Sequence, residues 1–128
     1  GRVGALPAAE SLDEFAERVK RAFDVPFVRV VGDAGRSIRK VAVLGGSGSR
    51  YIRHAKFAGA DVLVTGDIDY HTAQDADVMG LAIVDPGHNA EKIMKPKTAE
   101  WLQAKLREQG YETEVIPSAI DTEPFRVK

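Results

Sequence analysis

A histidine and a glutamate lie three residues apart in the segment that follows an apolar run at residues 81–84. The run predicts a buried strand, and the Pro-Gly pair after it predicts a turn that opens a helix. On a helix this spacing places the side chains of His88 and Glu91 on one face. Imidazole nitrogen and carboxylate oxygen are ligands for zinc, manganese or iron, so the pair is a candidate for metal binding.

This pair by itself leaves a metal site incomplete, because structural and catalytic centres use three or four protein ligands. Asp85, a neighbouring turn or another chain could supply the rest. The structural alternative is a surface histidine followed by a glutamate in the first helical turn, where the helix dipole favours acidic residues.

A second strand-to-helix turn contains Asp67 and His71, four residues apart. Asp67 follows the apolar run at residues 61–65, and open α/β sheets hold ligand and catalytic groups beyond the carboxyl ends of their strands. Asp67 and His71 could share a helix face, so that the carboxylate orients the imidazole. The alternative is that Asp67 or Asp69 caps the helix and that His71 lies in its first turn.

A third turn is rich in glycine and small residues, from Gly45 to Ser49. After a strand and before a helix, such residues let backbone N–H groups approach an anion, so Gly46, Ser47 and Gly48 are candidates for binding a phosphate. The loop lacks the lysine of a P-loop and the full dinucleotide fingerprint. Its alternative role is a tight turn that packs a helix closely against a strand.

Strand and helix signals alternate along the chain with short connections. This pattern predicts a single α/β domain over residues 1–128, with a mostly parallel sheet and helices on both faces in three layers. The predicted strands are residues 27–31, 38–44, 61–65, 81–84 and 112–116, the last at an edge. The predicted helices are residues 12–23, with Ser11 and Glu14 as a capping box, 50–58, 69–79, 88–94 ended by Pro96, and 98–109.

Composition excludes several functional classes. The chain has 128 residues, of which 44% are hydrophobic and 29% charged, and its net charge of −1 gives no field for nucleic acid or a membrane surface. It has no cysteine, which excludes disulfides and thiolate metal sites and fits a cytoplasmic location. The first residue is Gly1 rather than methionine, which favours a segment of a longer protein.

Four segments, in order and spacing, resemble the NIF-three-like dinuclear metal-centre family, whose members are also called GTP cyclohydrolase I type-two homologues. They are the Gly-Gly-Ser-Gly loop at residues 45–48, Gly-Asp-Ile-Asp-Tyr-His at 66–71, Asp-Pro-Gly-His-Asn-Ala-Glu-Lys at 85–92 and Ile-Asp-Thr-Glu-Pro-Phe at 120–125. The resemblance covers essentially the whole chain. It implies that the chain is the C-terminal half of a protein built from two similar α/β halves, assembled as a hexameric ring.

The resemblance also implies a site of two divalent metal ions between the halves. His88 and Glu91 match the ligands of the C-terminal half, and Asp67, Tyr70 and His71 match a second signature that faces the metals. The N-terminal half contributes a His-His pair, and this chain has none. Many members also space the histidine and glutamate one residue further apart. The half-site therefore implies weak or absent metal binding by this chain alone.

Three interpretations of function follow. The first is half of a metal-dependent hydrolase that acts on a nucleotide or another phosphate-containing substrate, with the N-terminal half of the same protein as partner. In this interpretation Asp67 and His71 are the candidates for proton transfer. The second is a non-enzymatic, ring-forming scaffold or a regulatory module that binds metal or nucleotide. The third is a plain nucleotide-binding domain, and it depends on the glycine loop alone.

Overall fold

The computed structural model describes residues 1–126 and groups the chain into two compact units, Gly1–Ala90 and Glu91–Lys128. The first unit contains a five-stranded sheet and three α-helices, and the second contains the last α-helix and the residues on either side of it. The assignment of residues 1–128 to a single domain stays a prediction. In residues 1–126, no helix has the length and apolar character needed to cross a membrane.

Five strands form one sheet: β1 (Arg2–Ser11), β2 (Arg29–Val31), β3 (Ser37–Ser47), β4 (Val62–Gly66) and β5 (Ala82–Asp85). Their order across the sheet is β1-β3-β4-β5-β2. Its three central strands are parallel neighbours, and each edge strand pairs antiparallel with the strand beside it. The prediction of an α/β fold is confirmed, with the refinement that both edges are antiparallel.

Helices cover both faces of the sheet because successive side chains of the central strands point to opposite sides. On β4, Val62 and Val64 join the core under the first helix, whereas Leu63 joins the core on the other face. The first core lies against α1 (Leu12–Phe23), and the second lies against α2 (Ile52–Phe57) and α3 (Tyr70–Val78). The three-layer arrangement predicted from the sequence is confirmed for this unit.

Helix α1 begins as predicted. The hydroxyl of Ser11 accepts a hydrogen bond from the backbone N–H of Glu14, and the carboxylate of Glu14 accepts one from the N–H of Ser11. This reciprocal pairing satisfies two N–H groups at the helix start. The predicted apolar stripe is buried at Leu12, Phe15, Ala16 and Val19.

Strand β1 was absent from the sequence prediction. Its residues include Gly4, Pro7 and several alanines, which are poor indicators of a strand. The strand forms because its first residues pair with β3, and the ladder is interrupted between Ala5 and Glu10. Pro7 lies in this interruption, where no ladder hydrogen bond is needed from its nitrogen.

Two predictions for the last third of the chain are wrong. Pro96 does not end a helix: a 3₁₀ helix over His88–Ile93 is followed directly by α4 (Met94–Glu108), and Pro96 lies in the first turn of α4. A first-turn residue has no intrahelical acceptor for its N–H, so proline is tolerated there.

The predicted strand at residues 112–116 is also absent from the described chain. The side chain of Gln103 takes the place of a strand partner. Its amide donates to the carbonyl of Thr113 at 3.0 Å, and its oxygen accepts from the N–H of Val115 at 2.8 Å. The backbone groups that an edge strand would offer to a ladder are therefore satisfied locally.

Candidate functional site

The three turns identified in the sequence follow adjacent parallel strands. Strands β3, β4 and β5 lie side by side, so their carboxyl ends meet at one edge of the sheet. Ser47, in the predicted glycine loop, pairs in register with Gly66 at the end of β4. This edge is where open α/β sheets bind ligands. The fold thus brings the three predicted turns together.

Asp67 and His88 form the contact that defines this edge. The Nδ1 atom of His88 lies 2.5 Å from a carboxylate oxygen of Asp67, although the residues are 21 apart in sequence. An ionised carboxylate only accepts hydrogen bonds, so Nδ1 is the donor. The side chain of His88 is 65% exposed and that of Asp67 is 46% exposed, so the pair lies at the surface. A carboxylate in this position fixes the tautomer and orientation of the imidazole.

Two left-handed backbone positions bring these side chains together. Asp67 has φ of 56°, and Gly87, immediately before His88, has φ of 77°. A positive φ is uncommon for residues other than glycine and often occurs at functional positions. The turns also touch, because a Cβ atom at Gly66 would lie 3.0 Å from the carbonyl oxygen of Gly87. Gly66 therefore permits the close approach of the two turns.

His71 does not pair with Asp67 as the spacing suggested. Helix α3 begins at Tyr70, so Asp67 lies outside the helix and the four-residue spacing confers no shared face. The ring of His71 is exposed and packs edge-on against Tyr70, with centroids 5.6 Å apart. The oriented imidazole belongs to His88 instead. The roles of Asp67 and His71 in proton transfer stay predictions.

Asp69 is the residue that caps α3. Its carboxylate accepts hydrogen bonds from the N–H of Thr72 at 2.9 Å, the hydroxyl of Thr72 at 2.6 Å and the hydroxyl of Ser49 at 3.1 Å. These bonds, chiefly those from the Thr72 hydroxyl and N–H, lower the pKa of Asp69 from 3.8 to about 2. Asp69 thereby links the end of the glycine loop to the start of α3, a contact that the sequence did not reveal.

Stability should depend on pH through Asp69. Because its pKa is lower in the folded protein, its ionised form favours folding above about pH 4, and that contribution is lost as pH falls towards 2. Asp69→Asn keeps a helix-capping side chain but removes the titration. Urea unfolding at stepwise lower pH should show a smaller acid-induced loss in Asp69→Asn than in the wild type. Asp75→Asn, elsewhere on α3, is the control, and equal losses in all three proteins would contradict the assignment.

The glycine loop is held against β4 at very short range. A Cβ atom at Gly48 would lie 2.3 Å from the side-chain oxygen of Thr65, whose hydroxyl donates to the carbonyl of Gly46 at 2.9 Å. β3 extends through Ser47, so part of the predicted loop is irregular strand. These contacts give Gly48 a packing role. Phosphate binding by Gly46, Ser47 and Gly48 stays a prediction.

Asp85 is a poor choice as an additional metal ligand. It is only 2% exposed, and both carboxylate oxygens accept hydrogen bonds, from the N–H groups of Ile68 and Gly87. Asp85 also pairs with Arg29. An arginine in the middle of the apolar run at residues 27–31 was the available signal for this pair.

Glu91 lies in the same 3₁₀ helix as His88 and is exposed. Across residues 1–126, no three histidine, aspartate or glutamate side chains come together as a metal centre would require. The designation of His88 and Glu91 as metal ligands stays a prediction.

A family model described as Duf34/NIF3 (NGG1p interacting factor 3) matches residues 1–124. The chain belongs to this family. The match confirms the resemblance stated from the sequence motifs.

Several proteins that are similar to this chain are considerably longer than it is. A Halalkalibacterium halodurans protein named GTP cyclohydrolase 1 type 2 homolog is 55% identical over 125 residues, which cover 98% of this chain and 34% of the relative. A Bacillus subtilis protein of the same name is 50% identical with the same coverage. The crystal structure of a Bacillus cereus protein related to NIF3 superposes with a TM-score of 0.94 at 48% identity, covering 98% of this chain and 35% of that one. The chain spans about a third of the length of these relatives.

Proposed function

We propose that this chain is the C-terminal, metal-binding half of a longer metal-dependent hydrolase that acts on a nucleotide or another phosphate-containing substrate. The observation that carries the proposal is the hydrogen bond from Nδ1 of His88 to Asp67. Metal-binding histidines characteristically donate one ring N–H to a carboxylate, which directs the other nitrogen to the metal. His88 would then bind through Nε2.

An imidazole and a carboxylate are suitable ligands for part of a zinc, manganese or iron centre. His88 and Glu91 would be two of its ligands, with the place of Glu91 supported by its sequence spacing and the family motif. A catalytic centre uses about three protein ligands for each metal, so further ligands would come from the N-terminal half of the same protein. The chain covers 34% of the Halalkalibacterium halodurans relative, so a longer protein of this kind has further segments that could carry these ligands.

Metal ions held there would supply Lewis-acid chemistry, which lowers the pKa of a bound water and polarises a phosphoryl oxygen of the substrate. The residues of this chain would orient the metal ligand, move a proton and contact the substrate. Asp67 orients His88 and, with His71, is a candidate for moving a proton. Gly46, Ser47 and Gly48 lie in the turn beside them and would approach the phosphates of the substrate through backbone N–H groups. The names of the relatives suggest a guanine nucleotide as one substrate to test.

A second candidate function is a ring-forming scaffold or regulatory module without catalysis. Phe57 on α2 and Val78 on α3 are 96% and 89% exposed, and contact with another subunit would remove this apolar surface from water. In this alternative the protein would act through its assembly, the hexamer that the family resemblance implies, and not through catalysis.

Measuring substrate turnover by a full-length chimeric protein distinguishes the hydrolase from the scaffold. In a suitable chimera, this chain replaces the matching third of the Halalkalibacterium halodurans relative, with which it is 55% identical. Loaded with manganese or zinc, the chimera should release phosphate from a nucleotide or a simple phosphate ester, and His88→Ala should abolish that release. If the chimera binds metal but turns over none of these substrates, and His88→Ala changes only its assembled mass, the scaffold function replaces the hydrolase.

A further inference from the structure

The turns that carry Asp67 and His88 share one buried anchor. Asp85 ends β5, and its carboxylate accepts the N–H of Ile68 at 3.0 Å on one oxygen and the N–H of Gly87 at 2.8 Å on the other. Ile68 directly follows Asp67, and Gly87 directly precedes His88. One side chain therefore fixes the backbone next to both members of the exposed pair.

Arg29 completes this anchor from the edge strand β2. It lies opposite Asp85 in the β2–β5 ladder and donates to the same carboxylate oxygen that accepts the N–H of Ile68. The same guanidinium nitrogen also donates to the carbonyl of Ile68 at 2.8 Å. Both backbone polar groups of Ile68 are thus held by one ion pair. The carboxylate of Asp85 is buried, with 2% of the side chain exposed, whereas Arg29 is 59% exposed and the side chains of Asp67 and His88 both lie at the surface.

The chemistry of the anchor suits the two turns that it holds. Asp67 and Gly87 both have positive φ, and such a conformation at a residue other than glycine persists only where its surroundings impose it. Charge-assisted hydrogen bonds are about twice as strong as neutral ones, and a carboxylate can accept several at once. An ionised Asp85 can therefore hold both turns, whereas an asparagine offers one acceptor oxygen and two unwanted donors.

We infer that Asp85 and Arg29 are positioning residues that set the hydrogen bond between Asp67 and His88, and through it the direction of the metal-binding nitrogen. This inference rests on the proposed function for its role in metal binding, whereas its structural part concerns the metal-free chain alone. Neither residue touches the metal or the substrate in this scheme.

The structural part is testable by NMR on the metal-free chain labelled with ¹⁵N-histidine, at one neutral pH. His54→Gln and His71→Gln variants assign the three imidazoles. The His88 ring should show a single tautomer protonated at Nδ1, with that proton slow to exchange. Asp85→Asn should speed its exchange about tenfold or more, the factor that a lost hydrogen bond to a charged group corresponds to, and leave His54 and His71 unchanged.

A second variant covers the case in which Asp85→Asn does not fold. Arg29 is 59% exposed, so Arg29→Met should keep a cooperative thermal transition while it loses the contacts to Asp85 and Ile68. It should produce the same change at His88, and Arg29→Lys, which keeps a cation there, should restore part of the wild-type signal. Folded variants with an unchanged His88 signal would overturn the inference.

Zinc titration of the chimera separates this inference from the proposed function. Asp85→Asn should weaken zinc binding about 10–100-fold, as loss of partners behind a ligand usually does. If the NMR change occurs and the unmodified chimera binds no zinc, the proposed function fails and the positioning of His88 stands. If zinc binds equally well to the wild type and to a folded Asp85→Asn, the role of the anchor in metal binding is overturned.

Discussion

Replacing His88 with alanine should weaken zinc binding by the chimera more than about 100-fold, because loss of a partner behind a ligand already costs 10–100-fold. The variant removes the proposed ligand and leaves the carboxylate of Asp67 without the imidazole that it orients. The imidazole is 65% exposed, so the fold should tolerate its removal. Competition titration with a chromophoric zinc chelator measures the change.

Two further variants provide an intermediate case and a control for this experiment. Asp67→Asn keeps the size of the side chain but weakens its acceptor, and it should fall between wild type and His88→Ala in affinity. His54→Ala is the matched control, because this exposed histidine lies on α2 and packs against Tyr51. An equal loss of affinity in His54→Ala and His88→Ala would show that His88 has no special role.

Replacing Gly48 with alanine should lower the free energy of unfolding by about 1–3 kcal/mol, the usual cost of inserting a methyl group into a packed interior. Gly48 has φ of −98°, which alanine adopts readily, so backbone strain does not contribute. The cost is steric, because the new Cβ would lie 2.3 Å from the side-chain oxygen of buried Thr65. Rotation of Thr65 would lose its hydrogen bond to Gly46. Urea denaturation measures the loss.

A double variant tests this steric explanation. Thr65→Ala removes the two atoms nearest to the new Cβ, so Gly48→Ala combined with Thr65→Ala should be less destabilised than the sum of the single changes. Gly4→Ala is the control, because no heavy atom lies within 4 Å of its Cβ position. Strictly additive effects, or a stable Gly48→Ala, would contradict the close contact with Thr65.

The sequence predicted the elements whose signals are local. The capping box at Ser11 and Glu14 and the apolar stripe after it defined α1, because both lie within a few residues of one another. The central strands β4 and β5 were predicted within about a residue, since continuous apolar runs are typical of strands buried on both faces. Their adjacency explains why the three turns meet at one edge.

Contacts between residues that are far apart in the chain could not be predicted from the sequence. Strand β1 exists because β3 offers it a ladder, and the segment at residues 112–116 is not a strand because Gln103 satisfies two of its backbone groups. Neither effect has a periodic signature. Local propensity is a weak guide wherever tertiary partners decide the conformation.

The candidate site was likewise predicted where its signals are local and not where it depends on long-range contacts. Its position beyond the strand ends was predicted, but the partner of Asp67 was not, because helical spacing pointed to His71. The observed partner, His88, depends on a left-handed conformation at Asp67 and on the contact between Gly66 and Gly87. The Arg29–Asp85 anchor also joins residues that are 56 apart in sequence.

The most direct test of the half-site is a calorimetric titration of zinc into this chain alone and into the chimera. A half-site predicts weak or no binding by the chain, because affinity requires a complete and preorganised set of ligands, and stoichiometric micromolar binding by the chimera. Stoichiometric micromolar binding by the chain alone that survives His88→Ala would contradict the assignment of His88 as half of a metal centre.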